Sequence, residues 1–169
     1  MTDFRSEVLG ESHRIEDFGS GKEPLDSWLR EQSRRAQSAG IARTYVWTRP
    51  GSPEVLAYYA IAPTQVARAD LPRVALAGGY SAVPGYLLAR LALTAALHGQ
   101  GLGGELLLDA LGRIVEAARI SGGRLIVVDA LDEHAHRFYR RYDFIPVNGS
   151  NRLYLKVATA DAILAKSSG

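Results

Sequence analysis

An apolar, strand-like run, Leu87-Leu88-Ala89-Arg90-Leu91-Ala92-Leu93, leads into the glycine-dense loop Gly99-Gln100-Gly101-Leu102-Gly103-Gly104, and the loop opens directly into a helix-patterned segment. No other stretch constrains the fold as much. Glycines carry no Cβ, so their backbone N–H groups can approach a ligand closely. The helix that follows adds unpaired N–H groups and the positive end of its dipole. Such a turn is built for an anion, most often a phosphate, so a phosphorylated cofactor is expected.

The rest of the pattern places this unit in mid-chain. A strand is expected near residues 4–9, then a break at Gly19-Ser20-Gly21. Pro24 suits a first helical turn, and Leu25, Trp28 and Leu29 follow at i, i+3, i+4, which predicts one helix to about Gln37, ended by Gly40. Residues 44–48 and 55–61 are β-branched and aromatic around Arg49-Pro50-Gly51-Ser52-Pro53, which predicts a hairpin. Residues 65–84 read as irregular, punctuated by Pro72, Gly78, Gly79 and Pro84. A strand over 87–93 and a helix over 101–120 follow. Leu102, Leu106, Leu107, Ala110, Leu111 and Ile114 form the core side of that helix. Residues 125–128 are continuously apolar, as in a strand buried on both faces. Asp132 is placed to cap a short helix to about Tyr142, and residues 143–147 and 152–157 read as a closing strand pair. The tail, residues 159–169, is expected to be loose. The order β-α-β-β-β-α-β-α-β-β is a mixed α+β sheet, expected as one domain over residues 1–169.

Composition narrows the function classes. A chain of 169 residues without cysteine has no disulfides, thiolate metal sites or cysteine nucleophiles. No apolar run is long enough to span a bilayer and residues 1–14 carry no apolar signal region, so a cytoplasmic location and no membrane partner are expected. The formal charge is only +2, yet 17 of the 20 basic residues are arginine. That bias suits bidentate phosphate contacts, although a coding preference would produce it as well.

The loop satisfies two patterns. As Gly-x-Gly-x-x-Gly, with Asp129 at the end of the next strand, it matches a dinucleotide fingerprint. That reading fails on context, because a doubly wound domain needs several more parallel strands and only 40 residues remain after Asp129. Read as His98-Gly99-Gln100-Gly101-Leu102-Gly103, the same residues nearly match Q/R-x-x-G-x-G/A. With Phe138-Tyr139-Arg140-Arg141-Tyr142-Asp143-Phe144 downstream, the chain resembles the GCN5-related N-acetyltransferases, whose "FYxxxGF" signature that segment is similar to.

The resemblance is closer to one subgroup, the TacT-type acetyltransferase toxins of bacterial toxin–antitoxin pairs. It is carried by Phe18-Gly19-Ser20-Gly21, Leu25-Asp26-Ser27-Trp28-Leu29, Arg43-Thr44-Tyr45-Val46 and Val55-Leu56-Ala57-Tyr58-Tyr59-Ala60, and continues in Leu88-Ala89-Arg90-Leu91-Ala92-Leu93, Leu108-Asp109-Ala110 and Val128-Asp129-Ala130-Leu131-Asp132. It implies an α+β fold with a mixed, mostly antiparallel sheet flanked by helices. It also implies acetyl-coenzyme A as cosubstrate, acetylation of the amino group of aminoacyl-tRNA to stop translation, and a ribbon-helix-helix antitoxin partner. The apolar and aromatic surface allows a homodimer without specifying one. Two positions depart from the pattern. His98 replaces glutamine or arginine, and its ring can still donate a hydrogen bond. Asp143 replaces glycine, and aspartate tolerates left-handed backbone better than most residues.

The resemblance implies a cofactor site of Leu91, Ala92, Leu93, His98, Gly99, Gln100, Gly101, Leu102, Gly103 and Gly104. In it, backbone groups of Leu91 and Leu93 line the pantetheine arm and polarise the thioester. Preorganised N–H donors of that kind are worth about 3–4 kcal/mol in a transition state. Tyr139 is the candidate general acid, since a phenol with an ordinary pKa near 10 stays protonated at neutral pH and can give its proton to a thiolate. The bland alternative is that it only packs beside Phe138. The strand 87–93 has no carboxylate to serve as base. That agrees with an α-amino acceptor, whose pKa of about 7.7–8.0 lies well below that of lysine, though a base acting through water stays open. Arg90 is the first candidate for an RNA phosphate. Arg30, Arg34, Arg35, Arg140 and Arg141 are further candidates, with a solvated surface charge as the alternative for each.

No metal site is expected: His134 and His136 are two apart on a helix and diverge. Asp129, Asp132 and Glu133 fit a strand end and a helix start better than a catalytic carboxylate pair. Two rival functions share the cofactor loop. One is acetylation of a small-molecule, peptide or protein amine, and the other is a silent module that binds coenzyme A or RNA.

Overall fold

Alternating and continuous apolar runs set the strands, and glycines, prolines and caps cut them. In the computed structural model, residues 3–72 and 79–168 are described; of the expected punctuation, Gly78 lies outside them. The strands are β1 (Arg5–Val8), β2 (Arg43–Thr48), β3 (Ala57–Ala67), β4 (Ala82–Leu93), β5 (Leu125–Asp129), β6 (Ile145–Pro146) and β7 (Arg152–Lys156). The helices are α1 (Glu23–Glu31), α2 (Ser33–Ser38), α3 (Leu102–Ser121), α4 (Glu133–Arg141) and α5 (Val157–Ser167). The strand order is β1-β2-β3-β4-β5-β7-β6. The pairs β1–β2, β2–β3, β5–β7 and β6–β7 are antiparallel, and β4–β5 is parallel. This is the expected mixed α+β architecture.

The chain divides into two compact units, Met1–Ala62 with Ala89–Ala110, and Pro63–Leu88 with Leu111–Gly169. The first has a core of Leu9, Ile15, Phe18, Trp28, Leu29, Val46, Val55, Tyr58, Ala60 and Ala92. Trp28 and Leu29 bury the apolar face that the i, i+3, i+4 spacing marks on α1. The single helix predicted to Gln37 is instead two, because Gln32 leaves helical geometry at φ −124°. The Ser33 hydroxyl donates back to the Leu29 carbonyl at 2.6 Å, a bond that competes with helix continuity.

In the second unit Leu125, Ile126, Val127 and Val128 are all buried, as a strand covered on both faces requires. Gly85 pairs with Leu125, and a Cβ there would stand 2.6 Å from the Leu125 carbonyl oxygen, so only glycine lets β4 and β5 approach. The Asp132 side chain accepts from the Ala135 N–H at 2.9 Å and caps α4 as expected.

Two further expectations are corrected. The stretch 65–84 is less irregular than its prolines imply: β3 continues to Ala67, a 3-10 turn covers Arg68–Asp70, and β4 starts at Ala82. Pro84 contributes its carbonyl to the Arg124 N–H at 2.8 Å, so its missing donor does not break the strand. Within the tail, residues 159–167 are not loose, since α5 runs to Ser167. Ala160 is buried, and the Val157 N–H is held by the Arg124 carbonyl. Val157, Ala160 and Leu164 already stand at helical spacing in the sequence.

Candidate active site

The glycine loop belongs to the first unit. β4 ends at Leu93, a 3-10 turn follows over Ala95–Leu97, and α3 starts at Leu102. The entry is pinned from both sides. Thr94 N–H donates to Leu56 O at 2.8 Å, and Ala95 N–H donates to Gly19 O at 2.9 Å. Gly99 and Gly101 have φ of +80° and +77°, left-handed backbone that side chains oppose. The turn at His98-Gly99 folds the Gln100 N–H back onto the preceding 3-10 turn, and among the described residues no protein group accepts from the N–H groups of Gly99 and Gly101. The first turn of α3, with Gly103 and Gly104, adds the unpaired N–H groups of any helix start. These donors stand at the positive end of a 20-residue helix. That arrangement fits a pyrophosphate, the anionic part of coenzyme A.

His98 does something more specific than the sequence indicates. Its Nε2–H donates to the Leu93 carbonyl at 2.7 Å, so this edge of the ring braces the end of β4. Ala92 and Leu93 are buried and Leu91 is half-buried. The Leu93 carbonyl is thus engaged by His98.

Arg90 is half-buried on β4. Its guanidinium carbon lies 5.0 Å from the centroid of the Trp28 ring, and Nη1 donates to Ala89 O at 2.9 Å. Stacked this way the cation loses little rotamer freedom when it meets a phosphate. Tyr58, stacked on Trp28 at 6.1 Å, has its phenol pKa pushed up by burial; Arg90 opposes the shift and Asp26 adds to it. The other candidate arginines of this unit divide by task. Arg30 donates to Phe18 O and to Glu23, and Arg34 donates to Gly10 O and His13 O, so both tie down the chain before α1. Arg35 is exposed on α2.

Tyr139 lies in the second unit, on α4. It is buried while Phe138 is half-buried, as expected for neighbours on a helix. Its ring centroid is 5.3 Å from that of Phe138 and 5.4 Å from that of Phe144. Among the described residues no group bonds its hydroxyl. Burial pushes its pKa well above the ordinary phenol value, so the proton is retained across the whole neutral range. Asp143 takes φ +70°, the left-handed turn usually given to glycine, and the Phe144 N–H returns to Tyr139 O at 3.3 Å. The turn that seats Phe144 against Tyr139 therefore survives the substitution. Arg140 is exposed, and Arg141 lies 5.9 Å from the Phe138 ring centroid.

Asp129 ends β5 in a bidentate pair with Arg152, at 2.8 and 3.0 Å, Asp132 caps α4 and Glu133 occupies its first turn. All three have structural tasks. A cavity of about 630 Å³ over β5 and β7, lined in part by Val66, Leu71, Val127, Val147 and Tyr154, has no counterpart in the sequence reading. Its lining comes from separated segments and leaves no motif.

Comparison with known proteins gives a consistent picture. No protein-family profile matches the chain. A tRNA-acetylating toxin of Mycobacterium tuberculosis (strain ATCC 25618 / H37Rv) is 36% identical over 154 residues, 91% of each chain. The solved structure of AtaT complexed with acetyl-methionyl-tRNAfMet superposes with a TM-score of 0.86 at 28% identity, covering 95% of this chain and 99% of that one. A tyrosine-to-phenylalanine variant of the AtaT toxin, bound to the C-terminus of the antitoxin AtaR and acetyl-CoA, gives a TM-score of 0.83 at 27% identity, with 97% and 99% covered.

Proposed function

The chain belongs to the TacT-type tRNA-acetylating toxins of the GCN5-related N-acetyltransferase superfamily, and from that premise we propose how its residues carry the reaction. It is an acetyl-CoA-dependent N-acetyltransferase that acetylates the α-amino group of aminoacyl-tRNA and so blocks translation. The N–H groups of Gly99 and Gly101, with the first turn of α3, take the pyrophosphate of acetyl-CoA. Backbone groups of Leu91 and Leu93 hold the thioester arm, and His98 keeps the end of β4 in place for them.

The amine nitrogen attacks the thioester carbonyl and forms the new C–N bond. The C–S bond breaks, Tyr139 gives its proton to the departing sulfur, and the proton lost by the amine passes to solvent. The tyrosine is then reprotonated from water. Burial keeps the Tyr139 phenol protonated throughout the neutral range, so it enters the reaction carrying its proton and does not serve as the base, which fits an acceptor that already sheds its own proton near pH 8. Arg90, presented on Trp28, meets an RNA phosphate, with Arg35, Arg140 and Arg141 as secondary contacts. Arg30 and Arg34 contribute less, because their donors are already engaged.

The protein acts where charged tRNA is made and used, in the cytoplasm. No helix among the described residues is long and apolar enough to cross a membrane. An antitoxin with a ribbon-helix-helix part is its partner. The observation that carries the reading is the pair of left-handed glycines, Gly99 and Gly101, whose N–H groups stand unengaged just before α3. The test is release of free thiol from acetyl-CoA on adding charged tRNA. Release with charged but not deacylated tRNA supports the reading; equal release with both, or none with either, defeats it.

A further inference from the structure

Asp109 sits in the second turn of α3, and three side chains converge on its Oδ2. Ser6 Oγ donates at 2.6 Å, Tyr59 OH at 2.8 Å and Trp47 Nε1 at 3.2 Å. The donors come from β1, β2 and β3, three neighbouring strands of one unit, and Ser6 and Trp47 are direct partners in the β1–β2 register. We infer that Asp109 is a positioning residue: it fixes α3 along its own axis against these strands and thereby sets where the cofactor-binding N–H groups at residues 99–104 stand. The inference rests on the acetyl-CoA reading of that loop.

The argument turns on direction. The first turns of α3 bury Leu102, Leu106, Leu107 and Ala110. Apolar burial is strong but non-directional, so it specifies which face packs better than it specifies axial position. One residue of helix rises about 1.5 Å, and a hydrogen bond is lost over a few tenths of an ångström beyond about 3.2 Å. Three donors on one carboxylate oxygen therefore define the axial position of α3 far more narrowly than leucines do. Bonds to a carboxylate are also roughly twice as strong as neutral ones. The same helix start must place its N–H groups about 2.7–3.2 Å from phosphate oxygens, so the tolerance at Asp109 matches the tolerance the ligand imposes. A purely structural part, satisfying a buried indole and phenol, would predict lost stability with unchanged cofactor affinity in the molecules that stay folded.

Asp109→Asn keeps the shape and one acceptor but removes the charge, while Tyr59→Phe and Ser6→Ala each remove one donor and leave the carboxylate. Acetyl-CoA binding is measured by calorimetry on the folded fraction, beside thermal melts and hydrogen exchange of the amides at residues 99–105. The expected result is a Kd raised about tenfold in Asp109→Asn and about threefold in each donor variant, equivalent to about 1.4 and 0.7 kcal/mol. Exchange at the loop should be faster, and kcat at saturating acetyl-CoA should stay within about twofold of the unaltered enzyme. If Asp109→Asn does not fold, the two donor variants carry the test. Lowered melting temperature with Kd and loop exchange unchanged would overturn the inference alone. An unaltered protein that does not bind acetyl-CoA would overturn it together with the reading beneath it.

Discussion

Replacing Tyr139 by phenylalanine removes one oxygen and nothing else of the packing. The ring contacts with Phe138 and Phe144, at 5.3 and 5.4 Å, are retained, and the hydroxyl has no protein bond among the described residues to forfeit. The stability change should therefore stay within about 0.5 kcal/mol, since a typical intramolecular hydrogen bond is worth about 1 and none is broken here. Acetyl-CoA affinity should stay within about twofold, because the loop at 99–104 is untouched. Turnover behaves differently. General acid catalysis contributes about 10²–10⁴-fold, or about 3–5 kcal/mol at 1.36 kcal/mol per decade, and at least about a tenfold loss in kcat is expected. Burial raises the phenol pKa, so the acid form persists at every pH below the raised value, and in the unaltered enzyme kcat should not decline from pH 8 to about 10 on its account. The assay is steady-state thiol release with saturating charged tRNA, with calorimetry for binding and urea melts for stability. A Tyr139→Phe protein that binds acetyl-CoA and turns over within about twofold of the parent would refute the acid role.

Three further outcomes are expected. Tyr58 and Tyr139 both hold their protons more tightly folded than unfolded, so their contribution to stability is complete below the ordinary phenol pKa of about 10 and is lost as pH rises above it; melting temperature should fall more steeply above about pH 10, and less so in Tyr139→Phe, whereas identical slopes would contradict the shared burial effect. Gly101→Val forces a β-branched residue to φ +77° and should cost about 1–2 kcal/mol in urea melts and weaken acetyl-CoA binding by about tenfold or more; an unchanged Kd would remove the loop from the site. Arg90→Glu should leave acetyl-CoA affinity within about threefold while reducing acetylation of charged tRNA by about tenfold or more, and binding of tRNA to the parent should weaken steeply with salt; full activity in Arg90→Glu would return this arginine to a packing role over Trp28.

Local physics made some of the site legible and distance hid the rest. Gly99 and Gly101 could be read directly as part of a ligand loop because glycine lets the backbone approach closely, and the structure adds a positive φ at both that only glycine takes cheaply. Asp132 was legible as a cap and Asp143 as a tolerated left-handed turn for the same reason, since each acts within a few residues of itself. The break at Gln32 was not, because the apolar spacing of α1 and α2 runs on through it and the Ser33 back-bond leaves no signature in composition. Arginine content did not reveal that Arg30 and Arg34 are engaged with carbonyls at Phe18, Gly10 and His13. Asp109 shows the limit most clearly. Its three donors lie 103, 62 and 50 residues away in the chain, so a motif shows the aspartate but not what it holds.

The central claim is that the acetyl group ends on the amino nitrogen of an amino acid still esterified to tRNA. It is tested most directly by incubating the protein with a pool of charged tRNAs and isotopically labelled acetyl-CoA, hydrolysing the ester at mild alkaline pH, and identifying the labelled product by mass spectrometry. Labelled N-acetyl amino acids released from the tRNA fraction are the predicted result. Label confined to protein side chains or to free small amines, with the tRNA-borne amino acids unmodified, would contradict it.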